Sequence, residues 1–438
     1  MTYEEVTEYL FSQTANYESQ GATGYKEGLE TTMALDEHFG HPHKTFRSIH
    51  IAGTNGKGSV SHTIAAFLQI CGYRVGLYTS PHLVDFSERI RVNGTPIPKD
   101  YVVNFVESEK AFFEPLHPSF FEITTAMAFK YFSDMNVDIA VVEVGLGGRL
   151  DCTNIITPIL STITNISLDH TKLLGSTLEQ IAFEKGGIIK PGVPVIIGEA
   201  TPETRKVFEE LAKVAGAPIT FAEDEPAIVE YKALPGGIMH YKTNRNVEFD
   251  GELSGTYQVK NANTIIKMLD SLMDSGYLSS SNIEDNMTKG VKEMNQAFMN
   301  VMSITGLKGR WQVVRKKPMV ICDTGHNAGA WEYLSKQLEE LPCHQLRIVF
   351  GMVEDKDIYS VMNMLPKNAT YYYTKGSTKR AFPETSLKVF GEQFGLKGEC
   401  YPTVDKAYEA ALQNATSEDV IFIGGSTYVV ADFLKSRI

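Results

Sequence analysis

The stretch "HIAGTNGKGSVSHTIAAF", residues 50–67, holds the residue types best suited to handling phosphate. Gly53, Gly56 and Gly58 let a backbone approach phosphate oxygens closely, and Lys57 brings a point charge for the β/γ-phosphates. Thr54 and Asn55 lie between them. Ser59 adds a hydroxyl where a helix is expected to open, and the N–H groups and dipole of that helix start suit an anion. The pattern departs from the usual G-x-x-x-x-G-K-[ST]: Ile51 stands in the first glycine's place, and Gly58 separates Lys57 from Ser59. The plain alternative is a βα turn with a solvated lysine. The strand before it, the three glycines, the lysine and the serine, all in register, favour a nucleotide site.

An ATP-handling loop calls for Mg²⁺, which takes hard oxygen ligands and keeps several waters. Glu143 ends an apolar run, "DIAVVEV", just before a glycine-rich loop. A charge there is costly unless paired or metal-bound, although a strand-end glutamate reaching solvent is common. Ser80 closes the strand that follows the phosphate loop, and Asp169 with His170 closes another. Strand ends on one sheet edge are where ligands collect in open α/β sheets. The histidines of "HFGHPH" (38–43) do not have the spacing of a familiar ligand set, and no metal is expected on them.

These residues need a scaffold. Strand candidates at 48–52, 74–79, 138–144, 159–165 and 194–198 alternate with helical stretches at 58–71, 100–114, 122–135 and 203–215. That alternation predicts βαβ units and a mainly parallel sheet. Residues 226–254 read as a small antiparallel meander, followed by a polar helix over 257–276. Weak periodicity over 295–310 sets a domain boundary near 300, after which strands at 319–323, 346–351, 369–374 and 419–424 restart the alternation. The expected fold class is α/β: a P-loop-type ATPase domain over 1–299 with a mainly parallel sheet, and a smaller Rossmann-like domain over 300–438. Two such domains create a cleft suited to a ligand.

Composition narrows the class. The formal net charge of -12 over 438 residues gives no basic footprint for nucleic acid. Five cysteines without a C-x-x-C pair suit a reducing compartment. The N-terminus is acidic, without a basic-then-apolar signal pattern, and no apolar run nears the roughly 20 residues needed to span a bilayer. A cytoplasmic protein, without membrane or nucleic-acid partners, is expected.

"GTNGKGS", with the approach "GLETTMALDEHFGHPHKTFRSIHIA" (28–52), resembles the phosphate loop of the Mur-ligase superfamily. It is most similar to the folate branch, the folylpolyglutamate synthases and dihydrofolate synthases. The resemblance runs from about residue 20 to "GGSTYVV" near the end. It implies ATP, two Mg²⁺ ions held by Ser80, Glu143 and His170, and a carbamylated Lys185 in "EKGGIIKPG". From the residues alone, Lys185 also reads as a helix C-terminal lysine favoured by the dipole. In the second domain it implies that Arg310 in "LKGRWQ" reaches the ATP phosphates. Asp323 and His326 in "ICDTGHNAGA" would contact the ribose and lie near the reaction centre. Asn261 would contact adenine, and Lys356 in "GMVEDKD" could meet an anionic amino acid or be a solvated charge. Tyr257, Gln312, Thr324, Gly325 and Ala328 depart from the family's pattern.

Phe120, Phe121, Glu122 and Thr124 are candidates for an aromatic pterin pocket, with core packing equally open for the two phenylalanines. Leu150 and Asp151 are further candidates, and Gly28, Leu29 and Glu30 resemble a pterin-side segment. The implied reaction is ATP-dependent addition of L-glutamate to dihydropteroate, tetrahydrofolates or both, through an acyl phosphate, by a monomer with small-molecule partners. A Mur-type ligase for another carboxylate, or a nucleotide-binding switch without ligase activity, remains open at this point.

Overall fold

The computed structural model describes residues 1–13, 28–234, 236–278 and 288–437. The part of the resemblance that precedes residue 28 lies outside them. The chain forms two compact units. The first comprises Met1–Tyr231, His240–Glu252 and Val259–Leu307, and the second Lys232–Met239, Leu253–Gln258 and Lys308–Ile438.

The first unit is built on an eight-stranded sheet. Its strands are β1 (Arg47–Ala52), β2 (Val75–Tyr78), β3 (Ile90–Val92), β4 (Thr95–Pro96), β5 (Ile139–Glu143), β6 (Leu160–Ile163), β7 (Val195–Ile197) and β8 (Ile219–Phe221). Their order is β4-β3-β2-β5-β1-β6-β7-β8. β2, β5, β1, β6, β7 and β8 run parallel, while β3 and β4 add an antiparallel edge. The central strands are β-branched and buried along their whole length, as parallel strands covered on both faces must be. Parallel pairing sets the C-terminal ends of β2, β5, β1 and β6 side by side, so the loops after them emerge on one edge. Strands β9 (Ile228–Leu234), β10 (Ile238–Thr243) and β11 (Glu248–Gly251) form a separate three-stranded sheet.

Helix Phe120–Asp134 shows how locally these elements are specified. Ser119 caps it: the Glu122 N–H donates to Ser119 Oγ (3.2 Å), and the Ser119 N–H donates back to Glu122 Oε2 (2.6 Å). Such a reciprocal cap satisfies two donors that the helix itself cannot. The same helix buries Phe120, Ile123, Met127, Phe129 and Phe132 in the core beside β2 and β5. Each such side chain contributes about 1.5–3 kcal/mol.

The second unit holds a six-stranded sheet of β12 (Gln312–Lys316), β13 (Met319–Cys322), β14 (Leu346–Phe350), β15 (Thr370–Tyr373), β16 (Lys397–Cys400) and β17 (Val420–Gly424). The order is β12-β13-β17-β14-β15-β16, parallel except for β12. Its core gathers Trp311, Trp331, Phe350, Tyr371 and Phe422. The α/β class, the parallel-dominated large sheet and the smaller second α/β sheet agree with the expectation. The edge strands β3, β4, β8, β12 and β16 were not among the expected ones. Among the described residues, no helix is long and apolar enough to cross a membrane.

Candidate active site

The phosphate loop follows β1 and leads into helix Lys57–Ile70. Gly56 is the N-cap in a left-handed conformation (φ 86°), so the helix opens two residues before Ser59. A Cβ on Gly56 would lie 2.4 Å from Asn261 Oδ1, and one on Gly53 (φ +144°) would lie 1.9 Å from Thr164 Oγ1. Backbone conformation and space both demand glycine at these two positions.

The loop is pinned by the segment after β6. Thr164 Oγ1 donates to Asn55 O, the Asn55 N–H donates to Asn165 Oδ1 (2.9 Å), and the Ser167 N–H donates to Thr54 Oγ1 (3.1 Å). Sequence reasoning missed Thr164, Asn165 and Ser167. A polar run, "TNIS", directly after a strand was the available signal. Ser59 is buried at the start of the helix.

Two lysines converge on one carbonyl. Lys57 Nζ donates to Gly53 O (3.0 Å) and Thr54 O (3.2 Å), and Lys185 Nζ donates to Gly53 O (2.9 Å). Lys185 comes from helix Leu178–Gly186 and is only 5% exposed. That helix is locked to the loop after β5. The Arg149 N–H donates to Glu184 O (2.7 Å), and a Cβ on Gly148 would meet Lys185 O at 2.8 Å.

The candidate cation ligands lie at neighbouring strand ends. Glu143 is the last residue of β5, in register with Ile51 of β1, and is 3% exposed in an otherwise apolar strand. Ser80 follows β2. His170 follows β6 in a left-handed conformation (φ 52°), its N–H accepted by Asp169 Oδ1 at 2.8 Å. A buried carboxylate, a hydroxyl and an imidazole, at the end of β5 and in the segments after β2 and β6 of the sheet that carries the phosphate-type loop, are donor types that fit Mg²⁺ or Mn²⁺.

The pterin-pocket candidates divide. Phe120 is buried, stacked on Phe11 (4.7 Å between ring centroids) and under the Arg89 guanidinium (4.9 Å). Glu122 is engaged in the helix cap. Thr124 is buried with Tyr78 (3.0 Å between hydroxyls). Asp151 accepts from the N–H groups of Leu146 (2.8 Å) and Thr153 (3.0 Å). Burial nevertheless raises its carboxyl above the ordinary range, outweighing those bonds. Phe121 and Leu150 are partly exposed, and the Phe121 ring packs near Tyr78 (5.8 Å) and over Gly145.

In the second unit, Asp323 follows β13 and is 3% exposed. Its carboxylate accepts from the Tyr257 hydroxyl (2.6 Å), the Trp311 N–H (2.7 Å) and the Gly325 N–H (2.7 Å). Burial pushes the Asp323 carboxyl up, and these bonds with the Arg310 charge pull it back only in part. Burial and the Asp323 charge together raise the Tyr257 phenol. Arg310 donates to the Thr324 hydroxyl and to Gly309 O (3.2 Å), so one departure from the family pattern holds the arginine. His326 Nδ1 donates to Thr324 O (3.0 Å), and Asn327 caps helix Ala328–Glu340. Lys356 is half-buried beside Asp355, which is paired with Arg380.

This arrangement of two α/β units with a glycine loop, strand-end ligands and a second-unit Arg–Asp–His set is matched by two family models. The Mur ligase middle domain matches residues 51–268, and the Mur ligase glutamate ligase domain matches 309–427. The dihydrofolate synthase/folylpolyglutamate synthase of Bacillus subtilis is 33% identical over 425 residues, 94% of this chain and 95% of that protein. The structure of Escherichia coli FolC in complex with DHPP and ADP superposes with a TM-score of 0.83 at 28% identity, covering 100% of this chain and 98% of the other. A bifunctional folylpolyglutamate synthase/dihydrofolate synthase with Mn, AMPPNP and L-glutamate bound gives a TM-score of 0.81 at 26% identity, covering 100% and 98%. The chain belongs to the dihydrofolate synthase/folylpolyglutamate synthase family of Mur ligases.

Proposed function

We propose that this chain is an ATP-dependent ligase that joins L-glutamate to the carboxylate of dihydropteroate and of tetrahydrofolates. The observation that carries the reading is the convergence of Lys57 and buried Lys185 on the Gly53 carbonyl of a nucleotide-type loop. A simple nucleotide switch gives a buried Lys185 beside that loop no role. Relatives named for both activities support the bifunctional form.

In the proposed chemistry, a carboxylate oxygen of the folate-side substrate attacks the γ-phosphorus and ADP leaves, giving an acyl phosphate. The glutamate amine then attacks the carbonyl carbon, phosphate departs, and an amide forms. Two anions must meet, so positive charge and N–H groups dominate the work. Gly53 to Ser59 cradle the phosphates, Lys57 swings from Gly53 O to the β/γ-phosphates, and Arg310 offsets charge on the transferring group. Asp323 takes the ribose, Asn261 the adenine, and His326 serves the reacting centre. Phe121 and Leu150 offer the pterin a partly exposed apolar wall. Lys356 receives a glutamate carboxylate.

Ser80, Glu143 and His170 would hold divalent cation, as two Mg²⁺ ions, which supplies electrostatic stabilisation of the phosphates. Carbamylated Lys185 would add an anionic oxygen ligand beside them. The first unit is read as the ATP-binding part and the second as the glutamate ligase part, in a cytoplasmic monomer.

The test is phosphate release from Mg-ATP with glutamate, supplying dihydropteroate and tetrahydrofolate separately and weighing the products. A one-glutamate mass gain with both substrates is expected. Gain with one alone assigns a single activity, and ATP hydrolysis without a new amide refutes the ligase.

A further inference from the structure

We propose that Asp36, His41 and His43 form a separate cation site, for a borderline divalent transition metal such as Zn²⁺. The site is built at the end of helix Glu30–His38. The Phe39 N–H donates to Leu35 O (3.1 Å), and the His41 N–H reaches back to Asp36 O (2.8 Å), closing the helix through left-handed Gly40 and His41. The 3-10 turn Pro42–Lys44 then returns His43 to the same carboxylate. His41 Nδ1 lies 2.7 Å from Asp36 Oδ2, and His43 Nδ1 lies 2.6 Å from Asp36 Oδ1. The three ligand atoms all lie within 4.8 Å of one another.

The chemistry of the set favours a metal over an oxygen-loving cation. Two imidazoles to a single carboxylate, with a fourth position open to water, suit Zn²⁺, whereas Mg²⁺ favours a shell made mainly of oxygens and waters. The Asp36 side chain is 8% exposed and that of His43 is 12%, so two ligands are fixed by packing. His41, at 46%, faces solvent and gives the ion its entry. A carboxylate at a helix C-terminus sits at the negative end of the dipole and calls for a positive partner. A tetrahedral ion requires ligand separations of about 3.3 Å, so the N···O pairs open slightly and the exposed His41 ring shifts to bring the three atoms, all within 4.8 Å of one another, to that spacing. His38 takes no part: its Nε2 pairs with Glu109 (2.8 Å) and its ring stacks on Phe112 (3.6 Å). An ion here would tie the helix end to the segment that enters β1.

Metal-stripped full-length protein is titrated with ZnCl₂ in a buffer holding excess Mg²⁺, by calorimetry, with Co²⁺ absorption as a second readout. One Zn²⁺ equivalent is expected, weakened by more than about tenfold in H43A. H41A, at a half-exposed position, weakens it likewise while circular dichroism without zinc stays that of the parent. Glu143→Gln leaves zinc uptake unchanged. Absence of uptake, equal uptake by parent and H41A/H43A, or loss of uptake in Glu143→Gln instead overturns the proposal.

Discussion

At the scale of the residue, neighbouring side chains of one type carry different loads. Phe120 and Phe121 are adjacent, yet one is a core ring under Arg89 and the other is partly exposed beside Gly145. Phe120→Ala is expected to cost about 3–5 kcal/mol in urea unfolding. Phe121→Ala should cost less stability but raise KM for the pterin substrate, read from steady-state kinetics. The Gly56–Asn261 contact makes a second case. Gly56→Ala destabilises the nucleotide-free protein through a Cβ placed 2.4 Å from Asn261 Oδ1. In an Asn261→Ala background the collision is gone, and Gly56→Ala then costs only the left-handed backbone term of about 1–2 kcal/mol. A double-mutant cycle should therefore show coupling, and simple additivity of the two losses would contradict the geometry.

At the scale of the element, β1 carries a buried titratable group. His50 is held by Thr153 Oγ1 (2.8 Å), and burial, helped by the Lys190 charge, lowers its pKa from 6.5 to about 3. The unfolded chain takes up a proton there below 6.5 while the folded chain stays neutral until about 3. The stability from this group is full above 6.5 and falls as pH drops toward 3, at most about 1.4 kcal/mol per pH unit. Denaturation of His50→Asn between pH 6.5 and 4 should show a shallower acid limb than the parent. Elements of this kind were legible in sequence because β-branched runs ending in glycine loops admit few other folds. Strand β16, "KGEC", was not legible: it is short, polar and half-exposed, and pairing with β15 rather than propensity makes it a strand. Thr164 and Asn165 escaped notice because they act on the phosphate loop through its backbone. Asp36 escaped because only a helix end and a tight turn bring it to His41 and His43.

At the scale of the whole molecule, the second unit depends on a buried carboxylate whose partner arrives from far back in the chain. Tyr257→Phe removes a bond to Asp323 and should lower the second unit's urea transition by about 1.5–3 kcal/mol, with Asp323→Asn at least as damaging. Residues 253–258 belong to this unit although the first-unit stretch Val259–Leu307 intervenes before it resumes at Lys308. The segment contributes more than the tyrosine: the Thr256 N–H donates to Gln337 Oε1 (2.7 Å), and Gln337 Nε2 donates to Ser254 O (2.9 Å). Halves exchanged between two relatives at a junction near residue 300 would therefore inherit Asp323 and Gln337 from one parent and their partners from the other. Natural recombination and chimera building alike would meet this mismatch, and a hybrid that keeps 253–258 with its own C-terminal half escapes it.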